Sequence, residues 1–263
     1  MNDIFTLTDV TLCYDAQPIV EDFNVRIPRG KITTIIGPNG CGKSTLLASL
    51  CQALTPTTGT ITYLGTDLRT LRPRQRAQQI ALLPQSPIAP PGTLVGQLVA
   101  RGRYPHRSVW QPWSAEDEQM VTQALDEVGL ESLRDAPLNA LSGGQRQRVW
   151  LAMALAQHTP TLLLDEPTTY LDIAHAIDVL TLVRQLRTQH DNTVVMVLHD
   201  LTLAARFSDH LIVLDQHGQL IAAGDPATIL TPAVIETAFA VSAAILPDPG
   251  GDGPLVVPLR TIH

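Results

Sequence analysis

The sequence predicts an α/β fold, a mainly parallel sheet preceded by an antiparallel β unit and interrupted by a helical insertion. Three observations carry this. First, Gly37-Pro38-Asn39-Gly40-Cys41-Gly42-Lys43-Ser44-Thr45 fills a G-x-x-x-x-G-K-[ST] pattern between an apolar strand, Ile32 to Ile36, and a helical run, Leu46 to Leu50. Second, apolar runs at 80–83, 161–164 and 194–198 lead into Gln85, Asp165-Glu166 and His199-Asp200. Parallel strands are apolar runs of this kind, and their carboxyl ends gather at one ligand-binding edge. Third, residues 86–112 turn rich in proline and glycine, and helical spacing follows from Ser114.

Composition narrows the function classes. With 18 Lys+Arg against 25 Asp+Glu, no basic field draws the chain to nucleic acid. Cys13, Cys41 and Cys51 have no framework spacing, which fits free thiols in a reducing cytoplasm. Cys41 lies where the loop pattern asks nothing, so it reads as an incidental, alkylation-sensitive thiol rather than a catalytic one. Met1 to Phe5 lack the features of an export signal. The longest apolar run, Val149 to Ala156, falls far short of the ~20 residues of a bilayer helix. A membrane role must therefore come through a partner.

In chain order, residues 4–30 alternate apolar and polar, broken at Ala16-Gln17-Pro18, which predicts short antiparallel strands. Tyr14 between them is either a half-buried packing residue or an aromatic face for a base. Residues 60–68 continue the strand pattern, and the four arginines of Arg69 to Arg76 read as a solvated surface or a contact with an acidic partner. Ser114 caps a helix whose Met120, Val121, Ala124, Leu125 and Val128 recur at helical spacing. Leu141-Ser142-Gly143-Gly144-Gln145 opens a helix running to His158, and Leu171-Asp172 opens another. Residues 211–214 and 219–222 flank Gln216-His217-Gly218 as a hairpin; short helices occupy 225–240, and Leu255 to Val257 is strand-like.

The chemistry of these stretches is phosphate chemistry. Glycines at 37, 40 and 42 let the backbone curl so that its amides point inward at an anion, Lys43 adds a full charge, and the Ser44 hydroxyl suits a magnesium ion. Ser142-Gly143-Gly144 before a helix is a second amide nest without a lysine. Asp165 at its strand end suits a cation, and Glu166 can deprotonate an attacking water. Taken singly, Gln85 is a strand-end polar cap and His199 a structural histidine. Their shared position at strand ends makes them one candidate site.

With these motifs in this order, nearly the whole chain resembles the ATPase subunit of ATP-binding-cassette (ABC) transporters. The resemblance implies a P-loop NTPase (RecA-like) core with an N-terminal antiparallel β subdomain and a helical signature-motif subdomain. It divides the chain into an ATPase domain over 1–240, its helical subdomain about 87–160, and a short C-terminal extension over 241–263 packed on the same domain. It implies that ATP and magnesium bind, with Gly37, Pro38, Asn39, Gly40, Cys41, Gly42, Lys43, Ser44 and Thr45 as the Walker A loop and Tyr14 stacked on adenine. Ser142, Gly143, Gly144 and Gln145 become the signature loop, and Leu171-Asp172 the D-loop. Ser44, Gln85 and Asp165 would hold the metal; Glu166 would be the catalytic base, with Lys43, Gln85 and the switch histidine His199 beside it. Implied partners are a second copy packed head to tail, integral-membrane permease subunits and, indirectly, a substrate-binding protein, at the cytoplasmic face of the cell membrane; nucleic acid is not among them.

Val99 to His106, Leu155-Ala156-Gln157, Glu166 to Asp172 with its bulky Tyr170, and Pro254 to Pro258 are similar to importers of ferric siderophores, enterobactin-type systems above all. Importers of haem or cobalamin, or a soluble ABC ATPase without a transport role, remain the alternatives.

Overall fold

In the computed structural model, which describes residues 3–14, 17–108, 112–169, 171–250 and 253–262, the alternating N-terminal pattern forms β1 (Asp3–Tyr14) and β2 (Gln17–Pro28). Met1, Ala16 and Tyr170, all named above, lie outside the described residues. These strands are longer than the short ones expected. Bulges absorb the three-residue spacings at Leu7–Val10 and Val20–Phe23, where Asp9 and Asp22 turn left-handed at φ 51° and 47°. Asn24 holds the kink together, donating to Asp9 Oδ1 at 3.0 Å and to the Asp22 carbonyl at 2.9 Å.

Next come β3 (Ile32–Ile36), α1 (Lys43–Ser49), β4 (Thr58–Tyr63), β5 (Thr66–Asp67), α2 (Pro73–Ala77) and β6 (Ile80–Leu83). The helical insertion contains α3 (Val95–Ala100), α4 (Ala115–Glu127) and α5 (Gly143–Ala156). The chain then runs through β7 (Thr161–Asp165), α6 (Ile173–His190), β8 (Thr193–Val197), α7 (Leu201–Phe207), β9 (His210–Leu214) and β10 (Leu220–Gly224). It closes with α8 (Pro226–Ile229), α9 (Pro232–Phe239), β11 (Val241–Pro247) and β12 (Pro254–Thr261). Strand β11, unexpected from the sequence, pairs antiparallel with β12.

The central sheet has the order β10-β9-β3-β8-β7-β6, parallel except for β10, and a second sheet has the order β2-β1-β4-β5. One core packs α1 (Leu46, Leu47) between the two sheets. The other face of the central sheet is covered by α5, α6, α7 and α9, joined by Ala243 of β11 and Val256 of β12. The insertion has its own core, in which Val95, Leu98, Val121, Leu125 and Val149 are buried. Helix α5 contributes Leu151 and Ala154 to one core and Val149, Ala152 and Ala156 to the other. Burial on both sides explains why its sequence reads as one unbroken apolar run.

The arginine cluster is tied into this frame rather than merely solvated. Arg69 chelates Asp67, Arg74 donates to the Pro105 carbonyl at 2.8 Å, and Arg76 donates to Gln52 at 2.7 Å. Deeper in, Arg103 pairs with Asp117 at 3.0 Å and donates to the Ala156 carbonyl at 2.9 Å, pinning the turn at 101–106 to α4 and α5. Burial pushes the Asp117 carboxyl up, but hydrogen bonds from Ser114 and Arg103 outweigh it and hold the acid below its ordinary value.

Two outcomes follow from that pair. Replacing Arg103 with alanine strips the buried carboxylate of its nearer guanidinium, leaving Ser114 and the more distant Arg107 beside it, and should cost about 3 kcal/mol in denaturant unfolding. Because the folded acid is the stronger one, its contribution is complete above the unfolded value near 3.8 and is lost as pH falls through the lower folded value. Asp117→Asn should therefore flatten the acid limb of the stability curve, as read by denaturant titrations at successive pH values.

Candidate functional site

Strand β3 ends at Ile36, and the chain curls through residues 37–42 into α1. Gly42 has φ 98°, and a side chain there would lie 2.8 Å from Ile19 Cγ2 and 2.9 Å from Val20 Cγ2 of β2. Only glycine lets the loop pass under that strand. No side chain caps α1, so its first amides face outward, as an anion site requires. Lys43 is 5% exposed and donates to the Gly37 carbonyl at 2.9 Å and the Pro38 carbonyl at 2.7 Å. Thus the loop holds its own cation by two carbonyl oxygens.

Cys41 departs from the expectation of an alkylation-sensitive thiol. It is buried in the core between the two sheets, and burial pushes its thiol up, so little thiolate forms and reagents cannot reach it. From this position its side chain cannot touch a ligand.

The carboxyl ends of the neighbouring strands close the site. Ser44 donates to Asp165 Oδ1 at 2.9 Å, across 121 residues of sequence. Glu166, 7% exposed and left-handed at φ 50°, turns its carboxylate into three donors. Gln85 and Thr169 donate to Oε2 at 2.6 and 2.8 Å, and His199 Nε2 meets Oε1 at 2.6 Å. Burial pushes both acids up; Asp165 stays raised, with the Glu166 charge adding to the effect. For Glu166 the hydrogen bonds from Thr169, His199 and Gln85 outweigh burial, and the acid sits below its usual value. One fold thus gives adjacent carboxylates opposite biases.

A cavity of about 410 Å³ is lined by Asn39, Gly40, Gly42, Lys43, Ser44 and Thr45, with Gln85, Glu166, His199 and Ile19 completing it. A second, of about 380 Å³, joins Gly37, Pro38 and Asn39 to His199 and Phe239. Tyr14 stands at the tip of the β1–β2 hairpin, 64% exposed rather than half-buried, on the strand pair that carries Ile19. Ser142, Gly143, Gly144, Gln145 and Asp172 line neither cavity. Ser142 caps α5 by accepting from the Gln145 amide, and Asp172 caps α6 by accepting from the His175 amide. A separate cavity of about 270 Å³ near Glu127, His158 and His190 contains none of the expected site residues.

Ile19, Thr169 and Phe239 were not anticipated. Thr169 follows Glu166 by three residues, the spacing at which a hydroxyl reaches back in a turn, and that was its only sequence signal. Ile19 and Phe239 carried none beyond apolarity.

The oxygen set fits a hard cation. A serine hydroxyl already bonded to a carboxylate, with an amide at Gln85 whose carbonyl is free while its NH₂ serves Glu166, suits magnesium held by few protein ligands. Among the described residues no cluster of three or more His, Cys, Asp or Glu side chains forms an all-protein metal cage. Lys43, Ser44 and Glu166 all line the main cavity.

The chain is also similar to known proteins along almost its whole length. The family model described as "ABC transporter" matches residues 20–169. The achromobactin transport ATP-binding protein of Dickeya dadantii (strain 3937) is 47% identical over 253 residues, 96% of this chain and 94% of its own. The ferric enterobactin transport ATP-binding protein of Escherichia coli (strain K12) is 45% identical over 250 residues, 95% and 92% of the two chains. Among solved structures, a dimeric ATP-binding cassette in a post-hydrolysis state, bound to ADP and Pi, superposes with a TM-score of 0.73 and 28% identity, covering 84% of this chain and 98% of that one. With its match to the family model spanning more than half its length and relatives this similar along almost all of it, the chain belongs to the ABC transporter family and carries that family's ATPase domain.

Proposed function

We propose that this chain is the ATP-hydrolysing subunit of an importer that carries an iron chelate, a ferric siderophore, across the cytoplasmic membrane. The observation that carries hydrolysis is the buried Glu166 carboxylate, held ionised by Gln85, Thr169 and His199 beside Lys43 and the Ser44–Asp165 pair. The cargo is supported by the relatives that serve achromobactin and ferric enterobactin. No helix among the described residues is long and apolar enough to cross a membrane, which fits a peripheral subunit working through a permease. Ile88, 90% exposed, and the exposed Tyr104 and Trp113 are apolar side chains on the insertion suited to that contact. A substrate-binding protein would act on the far side of the permease.

The chain's residues then divide the work. Lys43 exchanges its two loop carbonyls for the outer phosphates of ATP, and Tyr14 offers its exposed ring to the base. Magnesium, held by Ser44, Asp165 and Gln85, would neutralise charge on the outer phosphates. Glu166 accepts a proton from the water that attacks the terminal phosphorus, while the bond to the departing ADP oxygen breaks. Of the three donors, two bind Oε2 and only His199 binds Oε1, which keeps a lone pair for the water. His199, its ring half-exposed, is the one free to turn toward the phosphate. Ser142 to Gln145 and Asp172 lie away from the phosphate loop, and a second copy would bring them over it, head to tail.

Glu166→Gln should retain nucleotide binding while turnover drops by about 10²- to 10⁴-fold, the usual worth of a general base. Undiminished hydrolysis would remove Glu166 from this role. Wild-type turnover should rise more steeply than in proportion to protein concentration and stop when magnesium is chelated. In cells, the same substitution should abolish uptake of radio-iron siderophore while leaving unchelated iron uptake intact.

A further inference from the structure

One side chain outside every motif joins the Leu171-Asp172 loop to the Ser142–Gln145 loop. His175, in the first turn of α6, brings Nδ1 to 2.7 Å from Asp172 Oδ1, and its backbone N–H donates to the same oxygen at 2.9 Å. The other side of the imidazole lies against Gly144. A methyl group built there would stand 2.5 Å from His175 Cδ2, 3.0 Å from Cγ and 3.3 Å from Nε2. A methyl group at neighbouring Gly143 would meet nothing within 4 Å. Within this chain, therefore, the imidazole is what demands glycine at 144, and nothing makes the same demand at 143.

Among the described residues no hydrogen bond or ion pair joins the two loops directly. Ser142 and Gln145 satisfy each other across the start of α5, with Gln145 N–H to Ser142 Oγ at 3.2 Å and Ser142 N–H to Gln145 Oε1 at 3.0 Å. Asp172 spends one oxygen on α6 and His175 and keeps a largely exposed carboxylate. The ring is thus fastened to the second loop by a hydrogen bond and to the first by close packing against a backbone without a side chain.

We infer that His175 is a positioning residue that locks the Asp172 loop and the signature turn into one unit, so that both meet the second copy together. This rests on the composite-site reading above. Two loops that must be ordered separately on association cost more conformational entropy than one preassembled surface, so removing the ring weakens ATP-driven pairing without touching the phosphate loop.

The test uses the full chain carrying Glu166→Gln, which holds ATP unhydrolysed, with association measured by sedimentation at saturating ATP. Adding His175→Ala should weaken pairing by about tenfold, and Gly144→Ala, which drives a methyl into the ring, by about a hundredfold. The two changes act on one contact, so the triple variant should pair no worse than the His175→Ala form, a rescue that a merely structural role would not give. For the His175→Ala form, binding of a fluorescent nucleotide by the dilute chain and the thermal midpoint should stay at parental values. Pairing unaffected by His175→Ala, or additive losses in the triple variant, would overturn the inference. If the Glu166→Gln parent itself stays single with ATP, the composite-site reading fails first, and the positioning role with it.

Discussion

Everything at this site depends on the register of the parallel strands. In the central sheet Leu83 stands opposite Leu164, Asp165 opposite Val197, and Val197 opposite Ile35, so three strands end level with the start of the phosphate loop. Register in a buried sheet is strongly specified, because slipping one residue would exchange the side chains facing the two cores. Here one core takes Ile35, Leu163, Val195 and Ile212, while the other takes Ile36, Leu164, Met196 and Val213. Both alternating sets are apolar, and neither can be turned outward. Hydrophobic burial on two faces therefore sets the distance between Ser44 and Asp165 as firmly as any direct contact does.

Within that frame the polar groups are arranged around one electrostatic problem, several charges taken out of water at once. Lys43 is satisfied by two loop carbonyls, Asp165 by one hydroxyl, and Glu166 by three donors from three separate parts of the chain. An isolated buried charge would cost several kcal/mol, so each of these contacts is needed for the fold to tolerate the site. The allotment is unequal. Asp165, with a single donor and a negative neighbour, is the carboxylate most stabilised by an incoming cation, whereas Glu166 already carries its charge comfortably. Unequal solvation thus gives two carboxylates adjacent in sequence opposite tendencies, one toward a cation and one toward holding its charge alone.

How much of this could be read from the sequence follows from the same physics. The strand ends were legible because parallel strands leave an apolar signature that stops where the polar residue begins, and the phosphate loop because its glycines answer a backbone requirement. Features set by the partner across space were not legible. The bulges at Asp9 and Asp22 hide inside an alternation broken only by one residue. Strand β11 has no signature until Val256 shows which core it caps. The arginine cluster looked solvated because a guanidinium bound to the Pro105 carbonyl leaves no trace in local composition. Cys41 looked reachable because a loop position says nothing of which way the side chain turns. His175 and Ile19 meet Gly144 and Gly42 from elsewhere in the chain, and periodicity carries no record of such pairs; Thr169 left only its local spacing from Glu166.

The helical insertion raises a last question of constraint, since a body with its own core could move freely against the sheet. It is not free, because α5 belongs to both cores. At its start lies the signature turn, and at its end Gln157 donates to the Ala77 carbonyl at 2.5 Å and the Ile80 carbonyl at 3.1 Å, while its own carbonyl meets His106 at 2.7 Å. Strand β6 begins at that same Ile80 and leads to Gln85. A helix of 14 residues is a rod of about 21 Å, stiff on this scale. Its far end is pinned to the root of the strand that carries Gln85 to Glu166. Tilting the insertion about Gln157 would thus displace the signature turn most and the root of β6 least. The lever is long on the side of the signature turn and short on the side that holds the carboxylate, so any tilt of α5 that the two cores permit disturbs the hydrogen bonds on Glu166 least.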